Sequence, residues 1–471
     1  MIAAIVGRGA GVGTLAVALA SCAVEPNGLP APRIEVATAA ANPNNVLSAV
    51  VTVTAHHADS VAVRFQLAGV PGASADRTPS VSLVDQTAVI PVLGLEPSRS
   101  YEFHVVAFGA GAEVVGQPLD FETGALPVDL PSFVASGQNP APGFVTIAVG
   151  SASNYVVVID NAGRVVWYRH FPDGTGLNFM AQPTGHYVLR PPTPTAGDIE
   201  PWVELDPLGN IVRTLTCASG LQPRPHDLIL EPGGAYWILC DEARTMDLSA
   251  DGGVANAKVT GTVIQHVGAA GELLFQWSPF DHFAITDLPA ADRTGATVNW
   301  THGNAISVDA DGNLLVSFRS LNEITRIDGR TGAVLWRLGG LRNEFTFIDT
   351  PQPAFVHQHG VRLDGASEIV LLDNIGNPSE SRAERYWIDA STHTARLQQT
   401  YGSTPAVVTE IGGSVQPLTS GRTLVSFGTA GRVEEYDAAD QLQWHIEGNP
   451  GYVFRAQRIH SLYQPGIGDP R

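Results

Sequence analysis

Positive charge is scarce in this 471-residue chain: 27 Lys and Arg face 46 Asp and Glu, for a formal net charge of −19. That balance excludes extended contact with nucleic acid or an anionic membrane surface, because nothing would neutralise the phosphates and long-range repulsion would slow encounter. Charge of either sign is sparse, at 15% of residues, too little for many long solvated helices. No Gly-x-Ser-x-Gly elbow or Gly-x-x-x-x-Gly-Lys loop is present, so neither serine-hydrolase nor nucleotide-dependent chemistry is supported. Gly (49) and Pro (33) are abundant instead, which suits short strands joined by tight turns. A chain this long can bury a large core, in two or three domains or in one large repeat domain with an appendage. A small anionic substrate stays compatible with the net charge if a local cluster of Arg and His overrides the global field.

Cysteine is limited to three residues. After Arg8, the small and apolar run Gly9 to Ala20 has the length of a signal-peptide core and is too short to span a bilayer. It ends in Leu19-Ala20-Ser21-Cys22, which resembles the lipobox of bacterial lipoproteins. Residues 1–22 then read as a lipoprotein-type signal, with Cys22 as the lipid anchor of an exported protein in the cell envelope, periplasmic or outer-surface. An ordinary secretory signal with a chance Cys exports the chain equally. Cys217 and Cys240 each follow a strand-like run and stand either as a disulfide or as two buried thiols.

The expected fold is all-β. From Ile34 to about Thr123 apolar and polar residues alternate, as in Val61-Ala62-Val63-Arg64-Phe65, which predicts a small sandwich over residues 33–125. Leu95-Glu-Pro-Ser-Arg-Ser-Tyr101 resembles the tyrosine corner of fibronectin type III domains. Leu126 to Pro142 reads as a linker. Beyond it a unit recurs six times: a strand, an Asp or Gly turn, then a β-rich run often ending in Trp. The copies begin at Asn161, Asp206, Ala270, Asp328, Asp389 and Asp440, roughly 45 to 65 residues apart. That period and count predict a six-bladed β-propeller over residues 130–471.

A second register in the repeat places His226, Asn304, His359 and Ser414 at the starts of innermost strands, where distant residues converge on a central channel. Alternation along Trp300-Thr-His-Gly-Asn-Ala-Ile306 puts His302 and Asn304 on one side, and Arg319 ends the next strand. A guanidinium fork beside imidazoles and an amide suits a tetrahedral oxyanion such as a sulfate or phosphate ester. His357-Gln-His359 raises zinc as a rival, but no carboxylate or Cys stands at ligand spacing and Arg319 would repel a cation, so no metal is expected. Each His taken singly is also compatible with a structural role.

Pro225-His-Asp227, Thr301-His-Gly-Asn304, Phe318-Arg319, Gln358-His359, Leu371-Leu-Asp-Asn374 and Tyr452-Val-Phe-Arg-Ala-Gln-Arg-Ile459 resemble, in order, motifs of the bacterial aryl-sulfate sulfotransferases. The resemblance covers roughly residues 130 to 470. It implies transfer of a sulfuryl group from an aryl sulfate to a phenol, with no cofactor and no nucleotide sulfate donor, through a sulfohistidine. It assigns His359 as nucleophile and His302, Asn304 and Arg319 to the sulfuryl oxygens. His226 falls to the phenolic oxygen and His357 to a supporting position. Ser414 or Thr429 would complete the set, Gly360 stands where the family pattern has a polar residue, and the chain is short between His226 and His359. The expected partners are small aryl sulfates and phenols, with the chain a monomer or homodimer. A non-catalytic propeller binding glycans or proteins and an aryl sulfate hydrolase are the alternatives.

Overall fold

In a computed structural model, residues 30–70, 74–149, 153–193 and 197–467 are described; the signal segment and Cys22 lie outside them. The structure is all-β, and its one α-helix among the described residues is the four-residue Pro279–His282. The chain divides into two compact units. The smaller takes the described residues up to Ala39 with Val51–Ile90 and Tyr101–Asp120, and the larger takes Ala40–Val50, Pro91–Ser100 and everything from Phe121.

In the N-terminal region the expected alternation is present: Ala49, Val51, Val53 and Ala55 are buried along Ser48–His56 while the residues between them are more exposed. Its strands form two sheets, one of Arg33–Ala41, Ser48–His56 and Thr87–Leu93, the other built on Ser60–Leu67, Ser100–Gly109 and Ala112–Glu122.

The larger unit holds six sheets, each with a four-strand antiparallel meander at its centre, and the fold is propeller-like. Their innermost strands are β1 (Phe179–Ala181), β2 (Gln222–Leu230), β3 (Gly303–Val308), β4 (His359–Leu363), β5 (Ser414–Pro417) and β6 (Val453–Ile459). The C-terminal β6 pairs with Phe144–Val149 and so completes the sheet that begins the unit, while Ala135–Gly137 covers the outer edge of the last sheet. Strands from both ends of the larger unit are thereby paired into its sheets.

Neighbouring inner strands belong to different sheets, and side chains reach from one into the backbone of the next. Gln182, just after β1, bonds Leu228 O and Leu230 N of β2. Asp227 of β2 accepts from Ile306 N of β3, and Ser307 of β3 donates to Val361 O of β4. Gln416 of β5 bonds both backbone groups of Arg458 in β6, and Gln457 of β6 accepts from Ala181 N of β1. Between β4 and β5 the contact is direct: a Cβ on Gly360 would lie 2.8 Å from Ser414 Cα, and Gly360 has φ +62°. That close approach explains why glycine stands where a polar residue was expected.

The recurrent turn residue has a local cause. Asp160, Asp206, Asp328 and Asp389 each accept backbone N–H groups of their own hairpin turn. In the last copy that role belongs to Asp437 and not to Asp440. The Trp ending the run packs between sheets: Trp167 donates its indole N–H to Pro207 O, and Trp444 donates to Asn161 O across the closure. Both are fully buried, each contributing about 2–3 kcal/mol of apolar burial.

Cys217, just after the last strand of the second sheet, and Cys240, in the second strand of the third, form a disulfide with Cα atoms 6.1 Å apart and a sequence separation of 23. Closing a loop of that length stabilises the fold by about 2–4 kcal/mol. Replacing both cysteines with serine is expected to lower denaturant stability by that amount. Unchanged melting of the double variant would show that the bond contributes nothing.

Candidate active site

Three inner strands carry site residues, and each breaks register with its neighbour at that place. The irregularities fall between Pro223 and Leu228 around His226, between Gly303 and Ala305 at Asn304, and between His359 and Arg362. Such breaks re-aim a side chain out of the ordinary alternation. Two further histidines sit in strained backbone, His302 at φ 49° and His357 at φ 55°. Positive φ in a non-glycine residue costs on the order of 1 kcal/mol or more and persists where surrounding structure holds it.

His302 therefore lies in the turn before β3 and does not share a strand with Asn304, contrary to the alternation argument. It still reaches the cluster: its ring is 5.0 Å from that of His226 at 70°. Phe454 of β6 stands edge-on to both His226, at 5.5 Å, and His359, at 6.1 Å, and so wedges between them. Arg319 opens the turn Arg319–Leu321 and donates to His357 Nδ1 at 3.1 Å and to Glu410 O at 3.4 Å.

His359 is held in one tautomer. Its Nδ1 lies 2.8 Å from Asn374 Oδ1 and 2.9 Å from His357 O. The Asn374 amide cannot reverse, because its Nδ2 donates to Thr409 O at 2.9 Å and Gly412 O at 3.0 Å. Two acceptors at Nδ1 require the proton there, so Nε2 carries the lone pair. Among the described residues, the one hydrogen-bond partner of Nε2 is the Gly412 N–H, at 3.4 Å.

The histidines are neutral. Burial, helped by the Arg319 guanidinium and opposed by the Asn374 hydrogen bond, brings His359 down to about 4. Burial together with Arg224 and Arg319 brings His302 down to about 2. His226 is pushed well below its ordinary range by burial, Arg224 and its neighbouring imidazoles, and its Nδ1 is buried without a partner. Burial and Arg319 also lower His357.

Of the expected residues, the structure gathers His226, His302, His359 and Arg319, with His357 beside Arg319. Asn304 is adjacent but spends an amide N–H on Gln358 O at 2.7 Å, which fixes the backbone just before His359; its Oδ1 is buried without a partner. Ser414 is not brought to the histidines: its hydroxyl bonds the backbone of Ala456 in β6. Thr429 pairs instead with Thr409 at 2.9 Å. Asn374 and Phe454 went unassigned although both lie in motifs that carried the resemblance, and Arg224 gave no signal beyond the run Pro223-Arg-Pro-His. Among the described residues no group of three or more His, Cys, Asp or Glu is placed to hold a metal ion.

Residues 223–449, which span His226, His302, Arg319, His359 and Asn374, match the family model described as Arylsulfotransferase (ASST). The match supports an assignment to the arylsulfotransferase family. That match supports aryl sulfotransferase-type activity in general terms. No curated relative matches the chain. Solved structures similar to it are remote. A protein of unknown function from Bacteroides caccae has 12% identity and a TM-score of 0.44, covering 67% of this chain and 98% of that one. Virginiamycin B lyase from Staphylococcus aureus has 12% identity and a TM-score of 0.38, covering 66% and 88%. Regucalcin from Agrobacterium tumefaciens has 16% identity and a TM-score of 0.34, covering 69% and 95%.

Proposed function

We propose that this chain is a six-bladed β-propeller aryl-sulfate sulfotransferase, with a fibronectin type III-like sandwich in front. It is exported and held in the cell envelope by a lipid on Cys22. Its reaction is ping-pong transfer of a sulfuryl group from an aryl sulfate to a phenol through sulfo-His359. The observation that carries this assignment is the fixed tautomer of His359, which leaves Nε2 unprotonated on an imidazole that the Arg319 guanidinium helps to keep neutral.

In the first half-reaction Nε2 attacks sulfur, the N–S bond forms, and the S–O bond to the ring breaks with its electron pair leaving on the phenolate. The imidazole becomes positively charged and the total charge of −1 is unchanged. Asn374 Oδ1 and His357 O, both accepting from Nδ1–H, stabilise that new charge, as an acceptor behind a catalytic imidazole does. Arg319 balances charge on the sulfuryl oxygens, and His302 faces them as a neutral donor. His226, held neutral, donates a hydrogen bond to the departing phenolic oxygen and to its counterpart in the acceptor. In the second half-reaction the acceptor oxygen attacks sulfur, the N–S bond breaks, and the phenol proton passes to solvent.

Initial rates over a matrix of donor and acceptor concentrations test the scheme. Parallel double-reciprocal lines, with sulfate ester formed in step with phenol released, are expected. Intersecting lines, or free sulfate in place of a new ester, would contradict it.

Acid should affect this site late. A neutral His359 with a pKa of about 4 keeps its lone pair across the neutral range, so kcat/KM for the donor is expected to be flat down to roughly pH 5 and to fall below it. The same depression makes the unfolded chain bind protons that the fold refuses. Stability gained above 6.5 is therefore lost as pH falls from 6.5 through about 4, and rates should be read over seconds with folding checked by fluorescence. Asn374→Asp places a carboxylate at Nδ1 and should move the acidic limb up by roughly one unit or more. An unmoved limb would separate Asn374 from the nucleophile.

A further inference from the structure

One layer further along the inner strands, beyond the histidines, lies a cavity of about 220 Å³ lined by residues of all six strands or their ends. Among the described residues, three charged side chains line it: Asp227 of β2, Arg362 of β4 and Arg455 of β6. They form one cluster, with Arg362 3.0 Å and Arg455 3.5 Å from the two oxygens of Asp227, and their side chains are 11%, 7% and 2% exposed in the order Arg362, Arg455, Asp227. Two guanidiniums thus share a single carboxylate in a buried place. An uncompensated charge out of water costs several kcal/mol unless it finds a partner.

The polar lining residues differ in how much bonding capacity they have left. Gln182, Gln416 and Gln457 are spent on the backbones of neighbouring strands, and so are the hydroxyls of Ser307 and Ser414. The arginines are not. Arg362 donates to Val361 O besides Asp227, and Arg455 donates to His226 O besides Asp227, whereas Arg455 Nε is buried with no partner. Asp227 is further engaged by the N–H groups of Leu228 and Ile306, which leaves it less able to balance two cations.

We propose that this cavity is a second anion site, distinct from the histidine cluster, that holds a small oxyanion of sulfate size between Arg362 and Arg455. The anion completes the charge of the cluster and takes the fork-shaped donors that Asp227 leaves unused. The site does not rest on the sulfotransferase assignment: a protein that transferred no sulfuryl group would still hold the anion.

Selenate, an anomalous-scattering analogue of sulfate, tests it in crystals of the purified protein, alongside calorimetric titration with inorganic sulfate. A selenate peak between the two guanidiniums is expected in the unaltered protein and in Arg319→Gln, and is expected to be lost in Arg362→Gln, with sulfate affinity at this site weakened at least about tenfold. Should Arg362→Gln not be recovered folded, Arg362→Lys keeps the charge but loses the fork, and weakened binding is again expected. No peak in the cavity, a peak that survives Arg362→Gln, or occupancy only in molar salt (an adventitious ion only) would overturn the site.

Discussion

Replacing His359 with alanine is expected to lower aryl sulfate turnover by at least about 10⁴-fold, with the fold and donor affinity little changed. The size of the effect follows from the role. No other imidazole among the described site residues has its Nδ1 proton pinned by two acceptors while Nε2 is left for attack. His302 accepts from the Asn299 amide at Nδ1, which puts its proton on Nε2, and His226 Nδ1 has no partner to fix its tautomer, so neither is placed to take over. The measurement is release of a chromogenic phenol with and without a second phenol. Retention of more than about a tenth of the activity would remove His359 from the chemistry.

Arg319→Gln comes next in size, at about 10²–10³-fold in kcat, the range found when one preorganised group facing developing charge is removed. Its guanidinium is fixed by His357 and Glu410 and so needs no reorganisation when charge builds on the sulfuryl oxygens. Arg319→Lys should recover little, because an ammonium cannot reproduce two parallel N–H donors. A second readout separates electrostatics from simple misplacement. Arg319 lowers the pKa of His359, so its loss should also shift the acidic limb upward. Loss of activity with an unmoved limb would assign Arg319 to substrate affinity alone.

Much of the architecture was legible because its causes are local. Hairpin turns need an Asp to cap their own backbone, and the outer strands need a Trp to fill the gap between sheets, so both recur at a readable period. The convergence of His226, Asn304 and His359 was readable for the same reason, since equivalent strand starts share one radius. What was not readable depends on departures from regularity. The αL turn at His302 and the register breaks beside His226 and His359 are set by tertiary packing, which alternation along a strand does not encode.

Ser414 shows the opposite failure. Its register position was right, yet its hydroxyl is consumed by the backbone of Ala456 in β6, as side chains of other inner strands bond their neighbours. Asn374 was within reach: it directly follows the second strand of its sheet, Glu368–Asp373, as Arg319 follows Leu314–Phe318. Reading the second strands as well as the first would have put both residues at one level of the site.

The central claim is a covalent sulfo-His359, and trapping it is the most direct test. The protein would be mixed with an aryl sulfate in the absence of acceptor, quenched under alkaline conditions that spare the N–S bond, digested and examined by mass spectrometry. A sulfuryl adduct confined to the peptide bearing His359, formed in step with one equivalent of phenol and discharged on addition of acceptor, is the expected result. Transfer that proceeds at full rate with that peptide unmodified throughout would contradict it.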